Sequence, residues 1–206
     1  MSNNKRPFPN KRIFEIIDTE EKAYWLGFLS ADGSVGSSED KIELSLSIKD
    51  ISHVEKFKSF IGLENRISIR EKTNSCRYSF RSKELKEDLI DKGCTPRKTL
   101  TLSFPSDEQV PKNLKHHYMR GYFDGDGWIC NTEKTKCIGF IGTESFLVDA
   151  IQFFGLKQNK IREVHSGPQK RYQLYAKEEL ISFLETIYKD ATIYLDRKYL
   201  LYQSYK

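Results

Sequence analysis

The sequence contains two copies of one short segment, WLGFLSADG at residues 25–33 and MRGYFDGDG at residues 119–127. A shift of 94 positions superimposes them and places Asp32 on Asp126. Both copies are mostly apolar, and each has small residues four positions apart, which share one face of a helix. Glycine is costly inside a helix, so its recurrence there indicates close backbone contact. We therefore predict two helices that pack through Gly27, Ala31, Gly121 and Gly125.

The repeat extends beyond these segments. Identical pairs continue at the same offset, without a gap, as far as Glu84 and Glu178. Beyond that point the offset grows to 100, which places Arg97-Lys98 on Arg197-Lys198. Two copies of one structural unit are the simplest explanation of such a pattern.

A segment containing two prolines and several polar residues separates the copies. We predict a first unit over residues 1–104, a linker over 105–112 and a second unit over 113–206. The first unit begins with a basic arm. Its candidates for phosphate contacts are Lys5, Arg6, Lys11 and Arg12, and the alternative is a solvated basic tail.

Each unit is predicted to contain a helix, two strands, a helix, two strands and a helix. Alternation of apolar and polar residues from Ile42 to Ile48 indicates a half-buried strand. Further elements of the first unit are expected at residues 51–61 (helix), 66–71 and 75–81 (strands) and 83–92 (helix). The expected fold class is α+β, with two pseudo-symmetric αββαββα units whose antiparallel sheets are joined through the paired helices.

Asp32 and Asp126 end the two opening helices, and Gly33 and Gly127 after them suit the left-handed conformation that often follows a helix. The negative end of a helix dipole disfavours a carboxylate by about 0.3–1 kcal/mol. Two such helices packed in parallel bring both acids together, and such a pocket attracts cations. Mg²⁺ is commonly held by one or two carboxylates and phosphate oxygens, and paired metals support displacement at phosphorus.

Composition excludes several classes of protein. No apolar run reaches the roughly 18 residues of a membrane helix, and the N-terminus lacks an apolar signal segment. We expect an intracellular protein, cytoplasmic in a prokaryotic or phage-infected host. The four cysteines have no zinc-ligand spacing and are expected to be reduced thiols. The net charge of +5, from 34 basic and 29 acidic residues, suits a polyanionic partner without requiring one.

The doubled segment resembles the two motifs of the monomeric LAGLIDADG homing endonucleases, and the likeness covers most of the chain. The resemblance implies a monomer whose sheets form a DNA-binding saddle. It also implies metal-dependent hydrolysis that makes double-strand breaks at a long asymmetric duplex site, in the context of intron homing. Asp32 and Asp126 match the metal ligands, with Mg²⁺ or Mn²⁺ as the active ion and Ca²⁺ as a non-activating one. Ser30 stands where the motif often has an acid, whereas Asp124 keeps it.

The resemblance also implies a basic residue near the cleavage centre late in each unit, for which Lys98 and Lys198 are the candidates. Such a cation stabilises transition-state charge or orients the attacking water. The alternative is an ordinary solvated lysine. Candidate DNA contacts point outward from the strands, and the alternative for them is plain exposure to solvent. They are Arg66, Arg70, Arg77, Arg81, Lys160, Arg162, Arg171, Gln173 and Tyr175.

Three other functions are compatible with the same pattern. One is an RNA-splicing maturase, with or without cleavage activity, and another is a DNA-binding regulator that does not cleave. The third is a structural protein that uses the paired helices only for packing. The presence of both aspartates favours cleavage over the non-cleaving alternatives, and the sequence does not separate cleavage from an accompanying maturase activity.

Overall fold

The computed structural model describes residues 9–157, 160–164 and 168–205. Both units have the expected order of helices and strands. The first contains α1 (Glu20–Asp32), β1 (Gly33–Val35), β2 (Lys41–Ser47), α2 (Ile51–Ile61), β3 (Ser68–Arg70), β4 (Ser75–Arg81) and α3 (Lys83–Asp91). The second contains α4 (Lys115–Asp126), β5 (Gly127–Asn131), β6 (Lys136–Gly142), α5 (Glu144–Phe153), β7 (Ile161–Glu163), β8 (Lys170–Leu174), α6 (Lys177–Tyr188) and α7 (Asp196–Gln203).

The four strands of each unit form one antiparallel sheet, and the strand order is the same in both: β1-β2-β4-β3 and β5-β6-β8-β7. The α+β class and the repeated αββαββα pattern are therefore confirmed. Two features differ from expectation. Arg66 lies ahead of β3 rather than within it, and the additional helix α7 follows α6.

The alignment without a gap is wrong in the second strand of each unit. Leu44 pairs with Tyr78, and Phe140 pairs with Tyr172. The two tyrosines are 94 positions apart, as the repeat requires, but positions 44 and 140 are 96 apart. The β5–β6 hairpin is thus two residues longer than the β1–β2 hairpin, and a shorter connection before β8 restores the offset.

One continuous apolar core joins the two units. In the first unit the ring of Phe57 on α2 packs edge-on against Tyr78 of the sheet, at a centroid distance of 6.0 Å. In the second unit Phe183 on α6 stacks against Phe140, at 5.8 Å. The paired helices lie inside this core, since every residue of the α1 segment from Ala23 to Ser30 is buried.

The closest contact in the core is between the backbones of α1 and α4. A Cβ atom on Gly27 would lie 1.9 Å from the carbonyl oxygen of Tyr118, and a Cβ on Gly121 would lie 1.9 Å from that of Tyr24. One turn further on, a Cβ on Gly125 would lie 2.4 Å from the Cβ of Ala31. All four residues predicted for the helix interface therefore lie where the two helices touch.

The prediction of left-handed glycines after these helices is wrong. Gly33 has φ −74° and Gly127 has φ −90°, and both are extended because each begins a strand directly. Glycine is needed there for space. A Cβ would lie 2.6 Å from the carbonyl oxygen of Leu29 in the first unit and 2.5 Å from that of Phe123 in the second.

Within the described residues, no helix is both long and apolar enough to cross a membrane.

We predict that Gly121→Ala lowers the free energy of unfolding by about 3 kcal/mol, because the added methyl group meets a backbone carbonyl that cannot move aside without separating the helices. Urea denaturation followed by circular dichroism measures the loss. Ser52→Ala, on the exposed face of α2, is the control and is expected to change stability by less than about 0.5 kcal/mol. Equal stability of Gly121→Ala and wild type would contradict the close helix contact.

Candidate functional site

The two helix-terminal aspartates lie side by side. A Cβ on Gly125, the residue before Asp126, would lie 3.4 Å from the Oδ2 atom of Asp32. Asp32 is exposed and Asp126 is partly buried, so solvent reaches both carboxylates. No described residue donates a hydrogen bond to either of them or forms an ion pair with either.

The electrostatics of the pair reflect this crowding. Partial burial and the negative charge of Asp32 together raise the pKa of Asp126 to about 6, against the opposing effect of Lys98 and Lys198. The pKa of Asp32 is also raised, again chiefly by desolvation, and Lys198 and Lys98 act in the opposite direction. Two carboxylates that resist ionisation together favour a bound cation.

The two carboxylates fit a magnesium ion whose remaining ligands are water or phosphate oxygens. Within the described residues, no group of three or more His, Cys, Asp or Glu side chains is arranged to bind a metal. Mg²⁺ is often bound by one or two carboxylates together with water and phosphate oxygens, so two aspartates are sufficient protein ligands. A softer metal with a closed set of protein ligands does not fit this pair.

Lys98 and Lys198 are buried beside the same helix ends, with 9% and 2% of their surface exposed, so neither is a solvated surface lysine. The ammonium group of Lys98 donates a hydrogen bond to the carbonyl oxygen of Gly33. The ammonium group of Lys198, with three N–H donors, lies within hydrogen-bonding distance of four carbonyl oxygens around the end of α4, those of Phe123 (2.6 Å), Asp124 (2.7 Å), Gly125 (3.3 Å) and Gly127 (2.5 Å). Both cations therefore oppose the negative ends of the two helix dipoles.

The two lysines are not equivalent. Burial lowers the pKa of Lys198 to about 8, although the nearby carboxylates of Asp124, Asp32 and Asp126 act in the opposite direction. Lys98 lines a small cavity together with Asp126, so a lysine of the first unit approaches the aspartate of the second. This crossed arrangement places both acids within the influence of both cations.

The outward face of the first sheet contains the predicted arginines, but two of them are engaged. Arg77 forms an ion pair with Glu43 at 3.1 Å, and Arg81 forms one with Glu39 at 2.7 Å. Arg66 and Arg70 are exposed, and neither side chain pairs with a described residue.

In the second sheet Arg171 and Tyr175 are exposed, and Arg162 lies opposite Arg171 on the neighbouring strand. Two other candidates are engaged locally. Lys160 forms an ion pair with Glu179, and the amide of Gln173 donates to the sulfur of Cys137 at 3.2 Å. The two outward faces thus present different side chains.

The basic arm differs from expectation where it is described. Lys11 forms an ion pair with Glu84, and Arg12 forms ion pairs with Glu87 and Asp88, so both basic side chains are attached to α3. Lys5 and Arg6 lie outside the described residues.

The sequence reasoning missed a buried polar cluster beside the site. Arg120 is fully buried and donates to Glu20 at 2.6 Å. Asp124 is also buried and accepts hydrogen bonds from Tyr24 and Tyr188, at 2.8 and 2.5 Å. The available signal was the presence of two charged residues, Arg120 and Asp124, within the otherwise apolar segment 118–125 of α4.

The chain has the fold of the LAGLIDADG homing endonucleases. A lysine-to-alanine double mutant of I-SmaMI matches with a TM-score of 0.59 and 15% identity, covering 89% of this chain and 88% of that one. I-LtrWI bound to target DNA matches with a TM-score of 0.59 and 11% identity, covering 95% and 90%. I-AabMI bound to uncleaved DNA matches with a TM-score of 0.57 and 13% identity, covering 88% and 87%.

No family model matches the sequence. No curated protein matches it either.

We predict that Asp126→Asn stabilises the protein near neutral pH in the absence of divalent ions. Because the pKa of Asp126 is raised in the folded state, folding is progressively disfavoured as pH rises from about 4 to about 6, and the cost persists above that range. The substitution is expected to raise the Tm by about 2–4 °C at about pH 7.5 and to give little change at about pH 4.

Differential scanning fluorimetry measures both values, with Asp91→Asn as the control because Asp91 also ends a helix but is exposed and forms an ion pair with Lys92. Mg²⁺ is expected to raise the Tm of the wild type more than that of Asp126→Asn. Identical Tm differences at both pH values would contradict the unfavourable ionisation of Asp126.

Proposed function

We propose that the chain is a site-specific endonuclease that makes double-strand breaks in duplex DNA by metal-dependent hydrolysis of phosphodiester bonds. The observation that carries the proposal is the pairing of Asp32 and Asp126, two carboxylates without described partners at the ends of helices in close contact. A purely structural role does not explain two adjacent acids beside two buried lysines, because burying charged groups lowers the stability of the fold.

Proteins that share the fold support the assignment. I-SmaMI has been solved bound to cleaved DNA, and I-LtrWI has been solved bound to its target DNA. The two aspartates lie at the same point of both repeats in this chain, directly before the first strand of each sheet. No described feature favours an RNA-splicing or non-cleaving function.

Asp32 and Asp126 would hold Mg²⁺, which activates water and neutralises developing charge on the phosphate when it is bound. Mn²⁺ would serve in its place, and Ca²⁺ would bind without supporting cleavage. The chain's own contribution is to fix the two carboxylates against each other through the helix contact. Lys98 and Lys198 keep positive charge beside them, where it favours the additional negative charge of the transition state.

DNA recognition is assigned to the outward faces of the two sheets. The exposed side chains of Arg66, Arg70 and Arg171 are free of described partners and suit contacts with phosphate or guanine. Arg77 and Arg81 would first have to exchange their ion pairs with glutamate for contacts with DNA. Because the two faces differ in sequence, a monomer binds an asymmetric site.

We predict that the purified protein cuts a duplex that it has itself selected from a random-sequence library, in the presence of Mg²⁺ and not in EDTA. Asp32→Asn and Asp126→Asn are each expected to lower the rate of double-strand cleavage by at least about a thousandfold, because each removes a metal ligand. Gel electrophoresis of labelled duplex measures cleavage, and fluorescence anisotropy in Ca²⁺ measures binding.

Asp91→Asn is the control for these variants and is expected to cut at the wild-type rate. Binding by the two site variants is expected to stay within about threefold of wild type, a change below 1 kcal/mol. Undiminished cleavage by the Asp32→Asn, Asp126→Asn double variant would overturn the proposed function.

We also predict that Arg171→Ala weakens binding of the selected duplex by about 1–3 kcal/mol and relaxes base preference at one or two adjacent positions, as expected for an arginine that reads a base edge. Competition binding against single-base variants of that duplex measures both effects. Lys189→Ala, after α6, is the control. A uniform loss of affinity for all sequences would instead assign Arg171 to phosphate.

A further inference from the structure

The chain segment that leads to Lys198 lies against the first unit, although it belongs to the second. The carboxylate of Glu20, in the first turn of α1, accepts hydrogen bonds from the backbone N–H groups of Thr192 and Ile193, at 2.8 and 3.4 Å. The same oxygen accepts a hydrogen bond from Arg120 at 2.6 Å. One carboxylate of the first unit thus holds two consecutive residues of this segment.

A second set of contacts extends the attachment as far as the residue before Lys198. Lys56 on α2 donates to the carbonyl oxygen of Tyr194 and to the carboxylate of Asp196, at 3.2 and 2.6 Å. Arg197 donates to both carboxylate oxygens of Asp50, at 3.0 and 3.1 Å. Asp50 and Lys56 belong to the first unit, so charged groups of that unit contact the segment on both sides of Leu195.

Side chains of α4 support the same segment from the interior. Arg120 donates to the carbonyl oxygens of Ile187 and Ile193, at 2.8 and 2.9 Å. Asp124 accepts from the N–H of Leu195 at 2.7 Å. The N–H of Lys198 in turn donates to the carbonyl oxygen of Leu195 at 3.0 Å, so these contacts set the position at which α7 starts.

Fewer hydrogen bonds and ion pairs hold the chain around the other lysine, Lys98. Position 30 holds Ser30 where the second unit has Asp124, and Arg97, the counterpart of Arg197, is exposed and pairs with no described residue. Between Lys98 and Phe104 one described hydrogen bond comes from the second unit, in which the hydroxyl of Thr143 donates to the carbonyl oxygen of Leu102 at 2.5 Å. Phe104 contacts that unit through its aromatic ring, for example against the ring of Tyr118. The two lysines are therefore positioned by different means.

We propose that Glu20 and Asp50 of the first unit are positioning residues for Lys198 of the second. They act on the cleavage of one DNA strand and not of the other. This inference rests on the proposed endonuclease function. A displacement of about 1 Å at a catalytic group can cost on the order of a hundredfold in rate, so loss of these contacts should be visible as a defect confined to one strand.

The test uses the full chain and the duplex selected by the wild type, with a different fluorophore on each strand. Lys198→Ala first identifies which strand depends on that lysine. The Glu20→Gln, Asp50→Asn double variant is expected to cut the same strand about tenfold more slowly, while the rate on the other strand stays within about twofold. Affinity for the duplex in Ca²⁺ is expected to stay within about threefold. Each single variant is expected to change the ratio of strand rates in the same direction.

Glu144→Gln is the control, because Glu144 is an exposed carboxylate at the start of α5, as Asp50 is a carboxylate at the start of α2. Hydrogen exchange supplies a second readout that does not require DNA. The amides of Thr192 and Ile193 are expected to exchange faster in Glu20→Gln than in the wild type, with unchanged exchange in β2 reporting an intact fold.

The outcomes separate the two proposals. If the wild type cuts both strands and the double variant slows them equally or not at all, the positioning role is overturned and the endonuclease function stands. If exchange at Thr192 and Ile193 is unchanged, the attachment by Glu20 is overturned irrespective of cleavage. If the wild type cuts no duplex, the proposed function fails and the positioning of a cleavage group fails with it.

Discussion

The structure depends on the direct contact between the backbones of α1 and α4. Gly27 and Gly121 allow each helix to approach the carbonyl groups of the other, at positions where any side chain would collide. Both helices then end at the same level, and each continues into the first strand of its sheet without a connecting loop. One steric condition therefore sets the distance between the two aspartates and the starting point of both sheets.

Much of this arrangement follows from the sequence because it is encoded locally and encoded twice. The duplicated segment identifies the paired helices, the small residues identify their contact faces, and Asp32 and Asp126 recur at one position of the repeat. Residue alternation locates β2 and β4, since a sheet with one buried face imposes a period of two. These features need only short stretches of chain and the assumption that two copies fold alike.

The remaining features depend on partners distant in sequence. The burial of Lys98 and Lys198 depends on helix ends some 65 to 75 residues away, and no local pattern distinguishes them from surface lysines. The ion pairs of Arg77 and Arg81 join β4 to Glu43 on β2 and to Glu39 in the β1–β2 loop, respectively. Glycine at position 33 was expected because of its backbone conformation. The actual reason is space, because β1 starts directly after α1 and a Cβ atom at position 33 would collide with Leu29. The two-residue difference between the hairpins became visible only through strand pairing.

The continuous core and the attachment of residues 192–197 to the first unit mean that the two units of this duplicated protein are not independent modules. Exchanging its second half for that of a relative at the linker 105–112 would leave Glu20, Asp50 and Lys56 facing a foreign segment. The two halves are copies of one unit, but they are not interchangeable with the halves of a relative. A functional chimera would have to carry Glu20, Asp50 and Lys56 along with the C-terminal segment that they contact.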